Sequence, residues 1–274
     1  MLEKIKSLFI PSTFTLSNGK VVKEKFNPTI YIVIGLAYLI YITGQFTGFN
    51  FSTLAKNGSN FFDIIIAMFP PNLAYSTSVI SPMIDTLIMS LVGTLIGVVF
   101  ALPMAFLNAT NLNKNKWLVS ILRTFLSLLR TIPVLVYALI SVYIFGVGAF
   151  SGTVAIAIFT FAIASKMLYE QVETVDMGPF EALESTGANT IRSVRCAVFP
   201  QIKPYYISMI LYNFEMNVRS AAILGYVGAG GIGILLNENL GWRAYQKVGT
   251  VLIMLIIVVL IIESTSRYLR GKLN

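Results

Sequence analysis

Long apolar runs, separated by short stretches that gather most of the charged residues, recur along this chain from residue 29 to its end. A helix needs about 20 apolar residues to cross a bilayer. Runs at 29–49, 82–108, 117–147, 152–168, 206–224 and 248–264 fit that length and predict about six crossings in an all-α integral membrane protein. The third run is too long for one straight span, and Pro133 is placed to break it, leaving 117–130 as a basic, partly interfacial segment. Between the first two spans, 50–81 carries the apolar stretch 61–69 followed by Pro70-Pro71, which predicts a short helix on or near the membrane. The connection 225–247 opens on a glycine cluster, whereas 170–204 is polar and organised.

Composition agrees with a lipid solvent: only 12% of the 274 residues are charged, against about a quarter in soluble domains. The net charge of +8 could suggest nucleic acid, but the cations sit between apolar runs and form no stripe. Nucleic acid is therefore not expected as a partner. With the N-terminus inside, sixteen of the 20 Lys and Arg fall on the inner side. Lys56, Arg243 and Lys247 fall outside, and Arg219 lies within a span. This asymmetry predicts cytoplasmic termini at both ends. Lysines at 4, 6, 20, 23 and 25 precede the first apolar run, so that run is expected to be a retained span, not a removable signal. The resulting organisation is a tail 1–28, a first span with its outer loop 29–81, a core 82–266 containing the loop 170–204, and a tail 267–274.

Histidine is absent and Cys196 is the only cysteine, which removes Cys/His zinc sites, disulfides, Ser-His-Asp triads and dithiol redox pairs. Cys196 reads as an incidental thiol. No carboxylates cluster as a metal site, and no G-x-x-x-x-G-K-[ST] phosphate loop occurs, so the chain is expected to be neither an enzyme nor an ATPase.

Within 170–204, Gly178-Pro179 predicts a helix start, with Glu181 favoured in the first turn by the helix dipole. Phe180 and Leu183 share a face. Gly187 suits a left-handed cap, and Asn189 can cap a second short helix ending before Pro200. Helices this short are marginal alone, so the loop is expected to dock, with Phe180, Glu181 and Leu183 offered to a partner.

Glu181-Ala182-Leu183, Gly187 and the closing Phe199-Pro200 resemble the EAA loop of ABC importer permeases in spacing throughout; Leu183, Ala197 and Phe199 depart from the usual residues. The stretch from Arg130 through Pro133 to Ala138, the segment Phe214–Ala221 and the following turn from Leu224 to Gly233 resemble phosphonate-type permeases, and the Asn-Gly-Lys at Asn18 is in keeping with them. The resemblance covers roughly residue 82 to the C-terminus. It implies a type I importer permease fold in a bacterial inner membrane and a coupling loop whose Glu181, Ala182 and Gly187 touch a cytoplasmic ATPase. It also implies two ATPase subunits that bind ATP and Mg, a second permease subunit (identical or a paralogue), an external solute-binding protein, and a phosphonate-like anion as cargo.

Glu215, Asn217 and Arg219 lie in an apolar stretch, where ionised groups are costly and face a bundle interior or a water-filled path. Four residues apart, Glu215 and Arg219 can pair on one face. They are either a neutralised structural pair or, with Asn217, part of an oxyanion path in which the guanidinium fork binds the substrate. Gly228, Gly230, Gly231 and Gly233 match a dinucleotide fingerprint as a string, but no βαβ unit surrounds them. They read better as a tight outer turn or gate. The rivals are a methionine-type or other small-ligand permease and, from a different class, a membrane scaffold or signalling subunit.

Overall fold

The computed structural model describes residues 13–15, 19–23, 29–49 and 51–273. Its contacts divide the chain into Met1–Ile64 and Ile65–Asn274.

In the first unit, β1 (Thr13–Thr15) and β2 (Val21–Lys23) pair antiparallel with Phe14 opposite Val22. This hairpin amends the all-α expectation, and Gly19, just ahead of β2, has the left-handed φ of 76° that glycine adopts without a steric cost. The rest of the expected tail, Asn18 included, lies outside the described residues. Helix α1 (Thr29–Phe46) leaves Ile32, Val33, Leu36, Leu39 and Ile40 exposed, as a lipid-facing segment does. Helix α2 (Phe51–Ala67) follows, in the region expected to lie on the membrane, and runs across the division between the units.

The second unit is helical: α3 (Ser76–Asn108), α4 (Lys116–Thr131), α5 (Val134–Phe145), α6 (Ala149–Val172), α7 (Gly178–Ser185), α8 (Thr190–Ser193), α9 (Phe199–Leu224), α10 (Ile232–Gly241) and α11 (Tyr245–Gly271). Among the described residues three helices are long and apolar enough to cross a membrane alone, or up to five if each bent pair is one span. The break at Pro133 appears as expected, with α4 and α5 meeting at 85°.

Two of the boundaries that differ from the sequence reading involve prolines. Helix α3 starts at Ser76, so Pro82 lies inside it. The proline removes one intrahelical bond without ending the helix, because an apolar surround offers the flanking backbone no better partner. The second short helix does not end before Pro200 either. The chain continues from α8 through a π turn, Val194–Val198, directly into α9. Pro200 falls in the first turn of α9, where its missing N–H costs least.

The bundle packs through small residues as well as large apolar ones. The buried stripe of α3 includes Thr86, Ser90, Gly93, Thr94, Gly97, Ala101 and Ala105, while Ile84, Ile88, Leu95, Val99 and Phe100 face outward. Lipid is as apolar as leucine, so helices associate through small residues that let backbones approach. A Cβ on Gly97 would stand 2.7 Å from the Ala157 carbonyl oxygen of α6, and one on Gly93 2.8 Å from Ile156 Cγ2. The buried hydroxyls satisfy themselves locally: Thr94 Oγ1 donates to the Ser90 carbonyl at 2.6 Å.

Candidate functional site

The loop after α6 is a helix–turn–helix fastened to the end of the bundle. Asp176 Oδ1 accepts from Gly178 N at 2.9 Å just ahead of α7. At the other end Gly187 (φ 85°) closes α7: its N–H donates to the Glu184 carbonyl at 2.9 Å, and Ala188 N to the Leu183 carbonyl at 3.2 Å. This is the paired bonding of a Schellman cap, which needs a left-handed residue at that position. Asn189 Oδ1 then accepts from Ile191 N at 3.3 Å, capping α8.

The expected orientation of the apolar residues is corrected. Phe180 is buried with Ala109, Val172, Ala197, Val198 and Ile202 of this same chain, and Leu183 packs half-buried against that cluster. The partner of this face is the chain's own core, because a phenylalanine on a short helix gains most from the nearest apolar surface. Glu181, Ala182, Gly187 and Pro200 remain exposed. Ile191, at 76% exposure, is the apolar side chain the loop actually presents. Gln201 of α9 locks the assembly by donating to the Asp176 and Ala197 carbonyls, both at 2.9 Å.

Glu173, one residue beyond α6, ties the same end together. It accepts from Thr110 N at 2.7 Å, from the Thr110 hydroxyl at 2.5 Å and from Arg123 Nη2 at 2.5 Å. Arg123 also stacks over the Tyr169 ring at 4.4 Å. Burial pushes the Glu173 carboxyl up, but the Thr110 hydrogen bonds and the Arg123 guanidinium outweigh it and hold the group below its ordinary value of 4.5. A carboxyl depressed by folding contributes stability that is complete above its unfolded pKa and is lost as pH falls through the folded one. The melting-temperature gap between wild type and Glu173→Gln should therefore stay constant above about pH 6 and shrink as the pH drops below the ordinary carboxylate range. A gap independent of pH down to acid denaturation would remove Glu173 as an ionised tie.

In α9 the three polar residues part company. Glu215 is buried and forms an ion pair with Arg219 on its own helix and a second, at 3.3 Å, with Arg270 of α11. One carboxylate thus serves two guanidiniums and leaves one positive charge, with the Arg219 side chain 47% exposed. Asn217 points elsewhere. It is buried and donates to Thr94 Oγ1 and Thr160 Oγ1, both at 2.8 Å, joining α9 to α3 and α6.

At the opposite end of α9, Gly228 (φ 80°), Gly230 (φ 84°) and Gly231 (φ 70°) carry the left-handed turn. Thr86 Oγ1 accepts from Ile232 N at 2.8 Å, starting α10 on the wall of α3. Gly233 lies in the first turn of α10, where an added Cβ would collide with the Ala222 carbonyl oxygen and stand 2.8 Å from the Gly225 α-carbon. Sequence reasoning missed Gln201, Arg270, Glu173 and Thr86, each joined to its partner across 25 or more residues, a range that local spacing does not reach. Ile191 was legible as the first apolar residue after the Asn189 cap. Cys196 is an exposed free thiol. Among the described residues no three His, Cys, Asp or Glu side chains gather to hold a metal ion.

Long apolar helices packed through small residues, with a capped helical loop docked at one end and a carboxylate shared by two guanidiniums in the bundle, fit a membrane permease subunit. The chain belongs to the family of binding-protein-dependent transport system inner membrane components, which matches residues 93–270. It is the membrane subunit of an ABC importer, and its family is one of permeases, with ATP hydrolysis carried out separately. HtxC of Stutzerimonas stutzeri, which carries the provisional name phosphite transport system permease protein, is 33% identical over 90% of this chain and 86% of its own. The phosphite transport system permease protein PtxC of the same organism is 36% identical over 73% of each chain. The fold matches a chain of the inward-facing MetNI methionine ABC transporter with a TM-score of 0.66 at 21% identity, covering 74% of this chain and 99% of that one.

Proposed function

We propose that this permease imports a phosphonate or a related phosphorus oxyanion, phosphite or phosphate, across a bacterial inner membrane. In this reading the chain crosses six times, α1 included, with both termini in the cytoplasm. It pairs with a second permease subunit, a copy or a paralogue, around a shared path. An external binding protein delivers the anion, and two ATPase subunits clamp the loops on the inner face.

The loop transmits the stroke because it is rigid at both contacts. Phe180 and Gln201 fix it to the bundle, while Glu181, Ala182 and Gly187, joined by Ile191, form the surface that meets the ATPase. The glycine turn and Thr86 form the outer gate. Asn217 acts as a tie behind the path, and Arg219 faces it.

The observation that carries the choice of cargo is the Arg219–Glu215–Arg270 arrangement. A carboxylate shared by two guanidiniums holds Arg219 in place without neutralising it, and a half-exposed guanidinium suits an oxyanion. The names of HtxC and PtxC support the same chemistry. A thermal-shift panel on the cognate binding protein checks it. Phosphite, phosphate or a phosphonate should raise the melting temperature, and methionine should not; stabilisation by methionine alone would overturn the assignment.

A further inference from the structure

At the coupling-loop end of the bundle, the turn after α3, the length of α4 and Tyr169 of α6 enclose a concave pocket of about 760 Å³. Four cations line it, Lys114, Lys116, Arg123 and Arg130, together with the hydroxyl-bearing Ser120, Thr124 and Ser127. Arg123 is compensated by Glu173 at 2.5 Å, through the same carboxylate oxygen that accepts from Thr110. Among the described residues, no carboxylate lies within ion-pair distance of Lys114, Lys116 or Arg130. Arg130 spends one donor on the Leu126 carbonyl of its own helix, at 3.2 Å, and keeps the rest of its fork. The lining is therefore rich in donors, short of acceptors and positive.

The opposite side of α4 is apolar and exposed: Trp117 (82%), Ile121 (63%), Phe125 (47%) and Leu128 (62%) recur at helical spacing. A helix with a tryptophan at its start, an apolar outer face and cations on the other face sits at the boundary between hydrocarbon and headgroups. Its basic hollow then opens at the depth where phosphate-bearing groups reside. Cations scattered on a surface would satisfy membrane orientation equally well. The uncompensated cations gather at one end: Lys114 and Lys116 line the hollow together with Ser120, whereas Arg130 lies about 21 Å further along α4.

We infer that the Lys114–Lys116 end of this pocket is a second oxyanion site, separate from Arg219, which takes a phosphoryl group through those two lysines and the Ser120 hydroxyl. The group belongs either to an anionic phospholipid or to a free phosphorus oxyanion on the inner side. The inference stands apart from the choice of cargo, because its lipid arm is read without transport.

The test uses the assembled permease–ATPase complex in two arms. Native mass spectrometry from nanodiscs of mixed phosphatidylcholine and phosphatidylglycerol reads retained phosphatidylglycerol. Calorimetry in pure phosphatidylcholine nanodiscs reads binding of inorganic phosphite and phosphate. The double substitution Lys114→Gln/Lys116→Gln, at exposed positions that leave the fold intact, should weaken one arm about tenfold. Arg130→Gln, at the far end of the pocket, should have no such effect, and the arm in which the lysine pair responds identifies the source. An unchanged result in both arms overturns the inference. So does an equal loss in the control pair Arg267→Gln/Lys272→Gln, which removes the same charge outside the pocket.

Discussion

Replacing Gly187 by valine leaves the permease in the membrane but stops ATP-driven uptake. No atom lies within 4 Å of a Cβ built at Gly187, so the substitution meets no clash. Its cost comes from φ 85°, which disfavours a side chain by about 1–2 kcal/mol and most of all a branched one. The chain relieves that strain by opening the Schellman cap, which swings α8 and Ile191 relative to α7 and displaces the surface proposed to meet the ATPase. Asparagine tolerates the left-handed region, so uptake should fall in the order glycine, asparagine, alanine, valine. Glu181→Lys, at an exposed position, should abolish uptake without altering the cap. Both are checked by uptake into proteoliposomes, with co-purification of the ATPase as the second reading. Normal coupling in Gly187→Val and Glu181→Lys together would refute the transmission role of the loop.

Glu215→Ala carries the second large effect. It leaves Arg219 and Arg270 facing each other with no carboxylate between them. Breaking a buried pair costs about 3–5 kcal/mol, but side-chain exposures of 47% and 31% let both arginines recover some water, so about 2 kcal/mol is expected. The detergent melting temperature should drop, and uptake should fall with it, since α9 loses its tie to α11. Arg219→Lys separates structure from cargo. Lysine keeps the charge and the pairing but not the fork, so stability should hold while uptake of the oxyanion declines severalfold. Unchanged uptake in the lysine variant would reduce Arg219 to a neutralising charge.

Much of this protein was legible before any fold was known. Hydropathy marked the long helices, Pro133 marked the 85° break, and the glycine and asparagine at 187 and 189 marked the caps of α7 and α8. The four-residue spacing of Glu215 and Arg219 marked their pair. All of these depend on the chemistry of a few neighbouring residues, so a linear string contains them.

Tertiary structure decided which face of each element turns inward. A helix apolar all round has no periodic signal to say which side is buried, because lipid and protein interior favour the same residues. Only packing revealed that α3 buries Gly93, Gly97, Ser90, Thr86 and Thr94, and that Phe180 serves this chain's own core while Ile191 stays exposed. It also separated Asn217 from its neighbours, sending it to Thr94 and Thr160, and brought Arg270 to Glu215 from 55 residues away. Capping and hydropathy act over one or two turns of chain. The ties across the bundle exist only once α3, α6, α9 and α11 stand side by side.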